Sequence, residues 1–314
     1  MSFAFVFPGQ GSQSVGMLAE LAAADELVRQ TFDEASTVLG YDLWALTQEG
    51  PEERLNATER QQPAMLAAGV ATWRLWLRQG GPLPAQVAGH SLGEYTALVC
   101  AGVLELRDAV ALVQFRGQVM QEAVPAGAGA MAAILGLTDE EVQQACREAA
   151  GSGVVEAVNF NAPGQVVIAG EQAAVTRAIE IAQSRGARRA LPLPLTVPAH
   201  SSLMLPAGER LAERLRGLSL APPRIRYVSA VDASPHEEPQ DIAQLLVRQL
   251  SSPVRWSETV QALVAGGSHT LIECGPGKVL TGLNRRILRE TPVTVRALED
   301  PASLAAALAE IRGS

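Results

Sequence analysis

An α/β fold, with a parallel sheet in a large domain and a smaller subdomain inserted into it, is what this sequence predicts. Two patterns predict it. Short apolar runs of β type alternate with longer stretches rich in Ala, Leu, Glu and Arg, as expected for parallel strands joined by helices. In the middle of the chain the order becomes strand, helix, strand, strand, helix, strand, which is a ferredoxin-like unit.

Taken in order, residues 3–7 (Phe-Ala-Phe-Val-Phe) form a short apolar run without leading cations, so they are expected as a buried strand rather than a signal peptide. Residues 87–89, 226–228 and 270–272 are expected as further parallel strands. Helical periodicity covers 17–39, 63–79, 92–101, 107–123, 202–216 and 241–250. In the inserted unit, 130–137 is strand-like and Thr138-Asp139-Glu140-Glu141 is a capping box that opens a helix to about residue 150. Strands at 154–158 and 166–169, a helix over 171–185 and a strand at 189–193 complete it. The Pro- and Gly-containing stretches 125–129 and 192–194 mark its borders. The expected division is therefore 1–126 with 197–314 as a discontinuous catalytic domain and 127–196 as the small subdomain, with a cleft between them.

Composition excludes several classes of function. Hydrophobic residues make up 47% and charged residues 18%, a globular balance, and the net charge of −8 leaves no general basic footprint for nucleic acid. Three widely spaced cysteines, Cys100, Cys146 and Cys274, fit neither a zinc site nor a disulfide framework, and point to a reducing compartment. No run reaches the roughly 20 apolar residues of a membrane span. A cytoplasmic chain without membrane contact is expected.

The chemistry begins at Gly89-His90-Ser91-Leu92-Gly93, a Gly-x-Ser-x-Gly nucleophile elbow and the mark of an α/β-hydrolase-like domain. A chain of this Gly and Ser content meets the pattern by chance about 0.1 to 0.2 times, so the strand before it and the helix after it carry much of the reading. A serine hydroxyl needs a base within hydrogen-bond reach, and the chain has four histidines. His90 points away from the attacking side chain in such an elbow, His236 lies in a polar turn, and His269 has no evident partner. His200, where the chain re-enters the large domain, remains. The turn Pro8-Gly9-Gln10-Gly11 after the first strand is either an oxyanion donor or an ordinary turn. Arg116, on an otherwise apolar helix face, either snorkels to solvent, which the pattern favours, or awaits a carboxylate.

Five ordered motifs, Phe7-Pro8-Gly9-Gln10-Gly11-Ser12-Gln13, Gly89-His90-Ser91-Leu92-Gly93-Glu94-Tyr95, Asn159-Phe160-Asn161-Ala162-Pro163-Gly164-Gln165, Val197-Pro198-Ala199-His200 and Gly275-Pro276-Gly277-Lys278-Val279-Leu280, resemble the malonyl-CoA:acyl carrier protein transacylase family over nearly the whole chain. The similarity is to the stand-alone bacterial enzymes of fatty-acid synthesis more than to domains embedded in polyketide synthases, which would carry flanking linkers. It implies transfer of malonyl from malonyl-CoA to the phosphopantetheine thiol of acyl carrier protein through a malonyl-Ser91 ester, with His200 as base. It further implies that the main-chain carbonyl of Gln249 orients His200, that the amides of Gln10 and Leu92 form the oxyanion hole, and that Arg116 clamps the malonyl carboxylate. Asn161 and Gln62 would line the cleft. No metal or redox cofactor is implied, and the chain is expected to act as a monomer whose partners are the acidic carrier protein and CoA. Arg185, Arg188 and Arg189, or Lys278, Arg285 and Arg286, are candidates to receive the carrier. Similar enzymes often carry Asn near 229–232, where this chain has Ser229-Ala230, which puts some pocket-wall hydrogen bonds in doubt. The competing expectations are a serine hydrolase or thioesterase, a malonyl transferase subunit of a malonate decarboxylase complex, and a catalytically silent subunit.

Overall fold

The computed structural model describes residues 2–313. The chain runs β1 (Phe3–Phe7), α1 (Ala19–Ala24), α2 (Leu27–Leu39), α3 (Leu43–Glu49), α4 (Glu52–Asn56), α5 (Thr58–Arg78), β2 (Gln86–Gly89), α6 (Gly93–Cys100) and α7 (Leu106–Glu122). Next come β3 (Gly129–Leu135), α8 (Asp139–Ala150), β4 (Val155–Ala162), β5 (Gln165–Glu171), α9 (Gln172–Ser184) and β6 (Arg189–Pro192). The remainder is α10 (Leu205–Leu215), β7 (Arg226–Ser229), β8 (Ser234–His236), α11 (Pro239–Gln249), α12 (Trp256–Ala265), β9 (Thr270–Glu273), α13 (Val279–Ile287), β10 (Thr294–Ala297) and α14 (Pro301–Arg312).

One sheet has the order β10-β9-β1-β2-β7-β8, parallel throughout except for the β7–β8 hairpin. Its centre is β1, whose alternation serves two covered faces. Phe3, Phe5 and Phe7 pack on one side, where Phe5 meets Trp73 and Trp76 of α5 edge-on at 5.6 and 5.2 Å, while Ala4 and Val6 join Val260 and Leu263 of α12 on the other. Each buried phenyl ring contributes about 1.5–3 kcal/mol, which anchors this strand under the site described below.

The other sheet is antiparallel, in the order β4-β5-β3-β6, with β-α-β-β-α-β connectivity. Its strands also alternate. Ala132, Ile134, Val166 and Ile168 face α8 and α9, while Met131, Ala133 and Val167 face the cleft. Thr138 and Glu141 form both bonds of the capping box at the start of α8. The antiparallel sheet is tied at β4 to the segment before α12, where the Phe160 amide donates to Val254 O and the Val254 amide to Val158 O, both at 2.9 Å.

Several elements differ from the sequence reading. The helix expected over 17–39 is two, because Asp25 Oδ1 accepts from the Leu27 amide at 2.9 Å and starts a second helix there. The helix expected from Pro63 starts at Thr58, with the proline inside it. β4 and β5 are longer than expected and meet at a tight Pro163-Gly164 turn, Gly164 having φ 69°. His236 lies in edge strand β8 rather than a turn, paired with Tyr227, and its Nε2 is 3.0 Å from Asp232 Oδ2. No helix among the described residues is long and apolar enough to cross a membrane.

Candidate active site

Backbone crowding builds the site first. Ser91 follows β2 with φ 52°, a left-handed conformation that costs a non-glycine residue about 1–3 kcal/mol and needs its surroundings to hold it. The flanking glycines make that possible. A Cβ on Gly89 would lie 1.9 Å from the Gly93 carbonyl carbon, and one on Gly93 would lie 2.0 Å from Phe7 O. Strand β1, strand β2 and helix α6 therefore converge under the serine more closely than any side chain would allow. The turn after β1 closes on the same point, since a Cβ on Gly9 would meet His90 O at 2.5 Å. The amides of Gln10, in that turn, and of Leu92, after the serine, have no acceptor among the described residues.

His200 reaches the serine from the far side of the cleft. Its Nε2 is 2.7 Å from Ser91 Oγ and its Nδ1 is 2.7 Å from the main-chain oxygen of Gln249. A carbonyl only accepts, so Nδ1 carries the proton, and Nε2 is left to accept from the serine hydroxyl. His200 is itself left-handed, φ 67°, and is fixed by its amide donating to Leu250 O at 2.9 Å.

Arg116, in α7, is 0% exposed, which removes the snorkelling alternative. Its Nη2 donates to Gln249 Oε1 at 2.9 Å and approaches Ser91 Oγ at 3.4 Å, while Nε and Nη1 have no hydrogen-bond partner among the described residues. The Tyr95 ring lies 5.4 Å from the guanidinium carbon. A fully buried cation with two idle donor nitrogens beside a serine hydroxyl can receive an anion that enters the cleft.

A cleft of about 390 Å³ opens over these groups, lined by Gln10, Ser91, His200, Asn161, Leu195 and Leu280 among others. Asn161 Oδ1 lies 2.8 Å from His90 Nε2 and links β4 to the elbow. Gln62 is a correction. It does not line the cleft but is fully buried against Met120 of α7, its Nε2 3.6 Å from the sulfur. Helical phase puts the neighbouring Gln61 on the cleft wall instead, where its Oε1 accepts from Gln10 Nε2.

Residues 4–307 match the acyl transferase domain family. The chain belongs to the acyl transferase family. It is 56% identical over 308 residues to the malonyl CoA-acyl carrier protein transacylase of Salmonella typhimurium, covering 98% of this chain and 99% of that one. The corresponding Bacillus subtilis transacylase is 43% identical, with 98% and 97% covered. Among solved structures, a malonyl transacylase in complex with a type II polyketide synthase acyl carrier protein superposes with a TM-score of 0.97 at 54% identity, covering 99% and 100% of the two chains. The acyl carrier protein S-malonyltransferase of Vibrio cholerae gives 0.95 at 56%, covering 98% and 100%.

In this acyl transferase, burial, and then the Arg116 cation, push the His200 pKa down to about 3, against the opposing pull of the Gln249 carbonyl. The imidazole therefore stays neutral and able to accept a proton in mild acid. The folded value lies below the ordinary 6.5, so the neutral ring's contribution to stability is complete above about pH 6.5 and is lost as pH falls toward 3. The melting temperature of His200→Gln should consequently fall less steeply than that of the wild type between pH 6.5 and 4; parallel melting curves would contradict the depressed value.

The sequence reading missed the side chain of Gln249 and Glu94, and it placed in doubt the hydrogen bonds at Ser229, whose Oγ donates to Glu94 Oε1 at 2.9 Å. Glu94 is 0% exposed and is the only charged residue of α6, Gly-Glu-Tyr-Thr-Ala-Leu-Val-Cys, and that isolation was the available signal.

Proposed function

We propose that this acyl transferase moves malonyl from malonyl-CoA to the phosphopantetheine thiol of an acyl carrier protein, through a malonyl ester on Ser91, and so supplies extender units for fatty-acid synthesis. The observation that carries the reading is the buried guanidinium of Arg116, 3.4 Å from Ser91 Oγ with Nε and Nη1 lacking a hydrogen-bond partner among the described residues. Its place fits the free carboxylate of a malonyl group whose thioester carbon sits at the serine.

In the first half-reaction Ser91 Oγ attacks the thioester carbonyl while its proton passes to His200 Nε2. The tetrahedral oxyanion is received by the amides of Gln10 and Leu92, each worth about 10²- to 10³-fold in rate. Collapse expels the CoA thiolate, which takes the proton from His200. In the second half the carrier thiol gives its proton to His200 and attacks the ester, and Ser91 leaves with that proton. The sequence is ping-pong and uses no cofactor. Asn161 holds the elbow to the small subdomain through His90. Arg188 and Arg189 are exposed and pair with no carboxylate among the described residues, whereas Arg185 is bound to Glu148 and Lys278 to Glu299. Arg285 is also exposed and donates to the Val295 carbonyl rather than to a carboxylate, so Arg188, Arg189 and Arg285 suit an acidic carrier protein best.

The test is intact-protein mass spectrometry after mixing with malonyl-CoA, followed by addition of carrier protein. A malonyl adduct on the Ser91 peptide that discharges to the thiol, and is absent in Ser91→Ala, is the expected result. Release of free malonate without transfer would assign a hydrolase instead.

A further inference from the structure

The Arg116 guanidinium is held by a side-chain amide, and an amide can be turned either way. Gln249 Oε1 accepts from Arg116 Nη2 at 2.9 Å, while its Nε2 donates to the main-chain oxygen of Ser91 at 2.9 Å and to Glu94 Oε2. The other oxygen of Glu94 accepts from Ser229 Oγ at 2.9 Å and from the Ala230 amide at 2.5 Å. Both carboxyl oxygens of Glu94 thus face donors, an arrangement suited to a carboxylate. A carboxylate cannot donate, so the NH2 of Gln249 must turn toward it and the oxygen of Gln249 must turn toward Arg116. The Ser91 carbonyl, which cannot donate, and the Arg116 guanidinium, which cannot accept, favour the same orientation, so the buried acid reinforces the polarity of the group that aims the cation. Burial pushes the Glu94 carboxyl up, and the Ala230 amide and the Gln249, Ser229 and Tyr227 side chains oppose that shift.

We propose that Glu94 is a specificity-determining positioning residue, which fixes the Gln249 amide so that Arg116 presents its free nitrogens to the carboxylate of the acyl group. This inference rests on the malonyl reading above. It assigns Glu94 no contact with substrate, and Gln249 a second task besides the carbonyl under His200.

Glu94→Gln tests it, because the substitution keeps shape and changes polarity. With its oxygen still taken by Ser229 and Ala230, the introduced amide would turn its NH2 toward Gln249. Gln249 would then either keep its NH2 against that donor or rotate it toward Arg116, which also sets its oxygen against the Ser91 carbonyl, and either arrangement loosens its hold on the guanidinium. Steady-state transfer is measured with malonyl-CoA and acetyl-CoA in the same preparation, and the readout is the malonyl to acetyl ratio of kcat/KM, which does not depend on the fraction of enzyme folded. We expect that ratio to fall about 10- to 100-fold, mostly through KM for malonyl-CoA. Glu94→Asp, which retains a carboxylate, should keep more of the malonyl preference, and it carries the test should Glu94→Gln not fold. In an Arg116→Ala background the Glu94 substitution should change the ratio no further. An unchanged ratio, or an undiminished effect without Arg116, overturns the proposal. Absence of any malonyl-Ser91 adduct in the wild type would instead overturn the functional reading.

Discussion

Replacing His200 with alanine is expected to slow acylation of Ser91 by malonyl-CoA on the order of 10³-fold or more. The hydroxyl at the elbow has one base in reach, the Nε2 at 2.7 Å, and that nitrogen is free to accept because Nδ1 is committed to the Gln249 carbonyl. No carboxylate stands behind the imidazole, so orientation and tautomer rest on a neutral main-chain group. The Arg116 cation disfavours the imidazolium, and the proposed substrate carboxylate would offset it. A single-turnover measurement of adduct formation reads the effect directly. A loss smaller than about tenfold would mean that another group takes the serine proton.

Arg116→Ala is expected to reduce malonyl transfer by about 10²- to 4 × 10³-fold, the equivalent of the roughly 3–5 kcal/mol lost when one partner of a buried ion pair is removed. Acetyl transfer should be retained or rise. Acetyl has no carboxylate to lose, and removal of the cation 3.4 Å from Ser91 Oγ lifts one of the two main influences that hold His200 neutral. The comparison is made as kcat/KM for both thioesters with the same carrier protein. Equal losses for the two substrates would remove the clamp role and leave Arg116 as a packing residue.

How much was legible in the sequence follows from how local each constraint is. The elbow was legible because its glycines, serine and flanking strand and helix occupy one short stretch, and the crowding at Gly89 and Gly93 admits few other residues. The inserted unit was legible because two-residue alternation and a capping box are both local patterns. Helices α12, α13 and α14 and edge strands β8 and β10 were not assigned. The strands are only three and four residues long, too short to show a period, and their existence depends on the neighbours they pair with. The break between α1 and α2 was hidden because Asp25 reads as one more polar residue on a helix until its carboxylate is seen to cap Leu27.

By itself the sequence determined the fold class, the family resemblance, the nucleophile-bearing turn and, by elimination among four histidines, the residue that stands opposite it. Only the tertiary structure decided that Arg116 is sealed from water, that Gln62 lies behind the cleft and Gln61 on it, and that Glu94, Ser229 and the Gln249 side chain form one chain of bonds ending at the cation. The physical reason is separation along the chain. Turn geometry and strand alternation arise between neighbours, whereas the sealing of a charge and the direction of an amide depend on donors and acceptors more than a hundred residues apart, which meet only once the two sheets and their helices have packed.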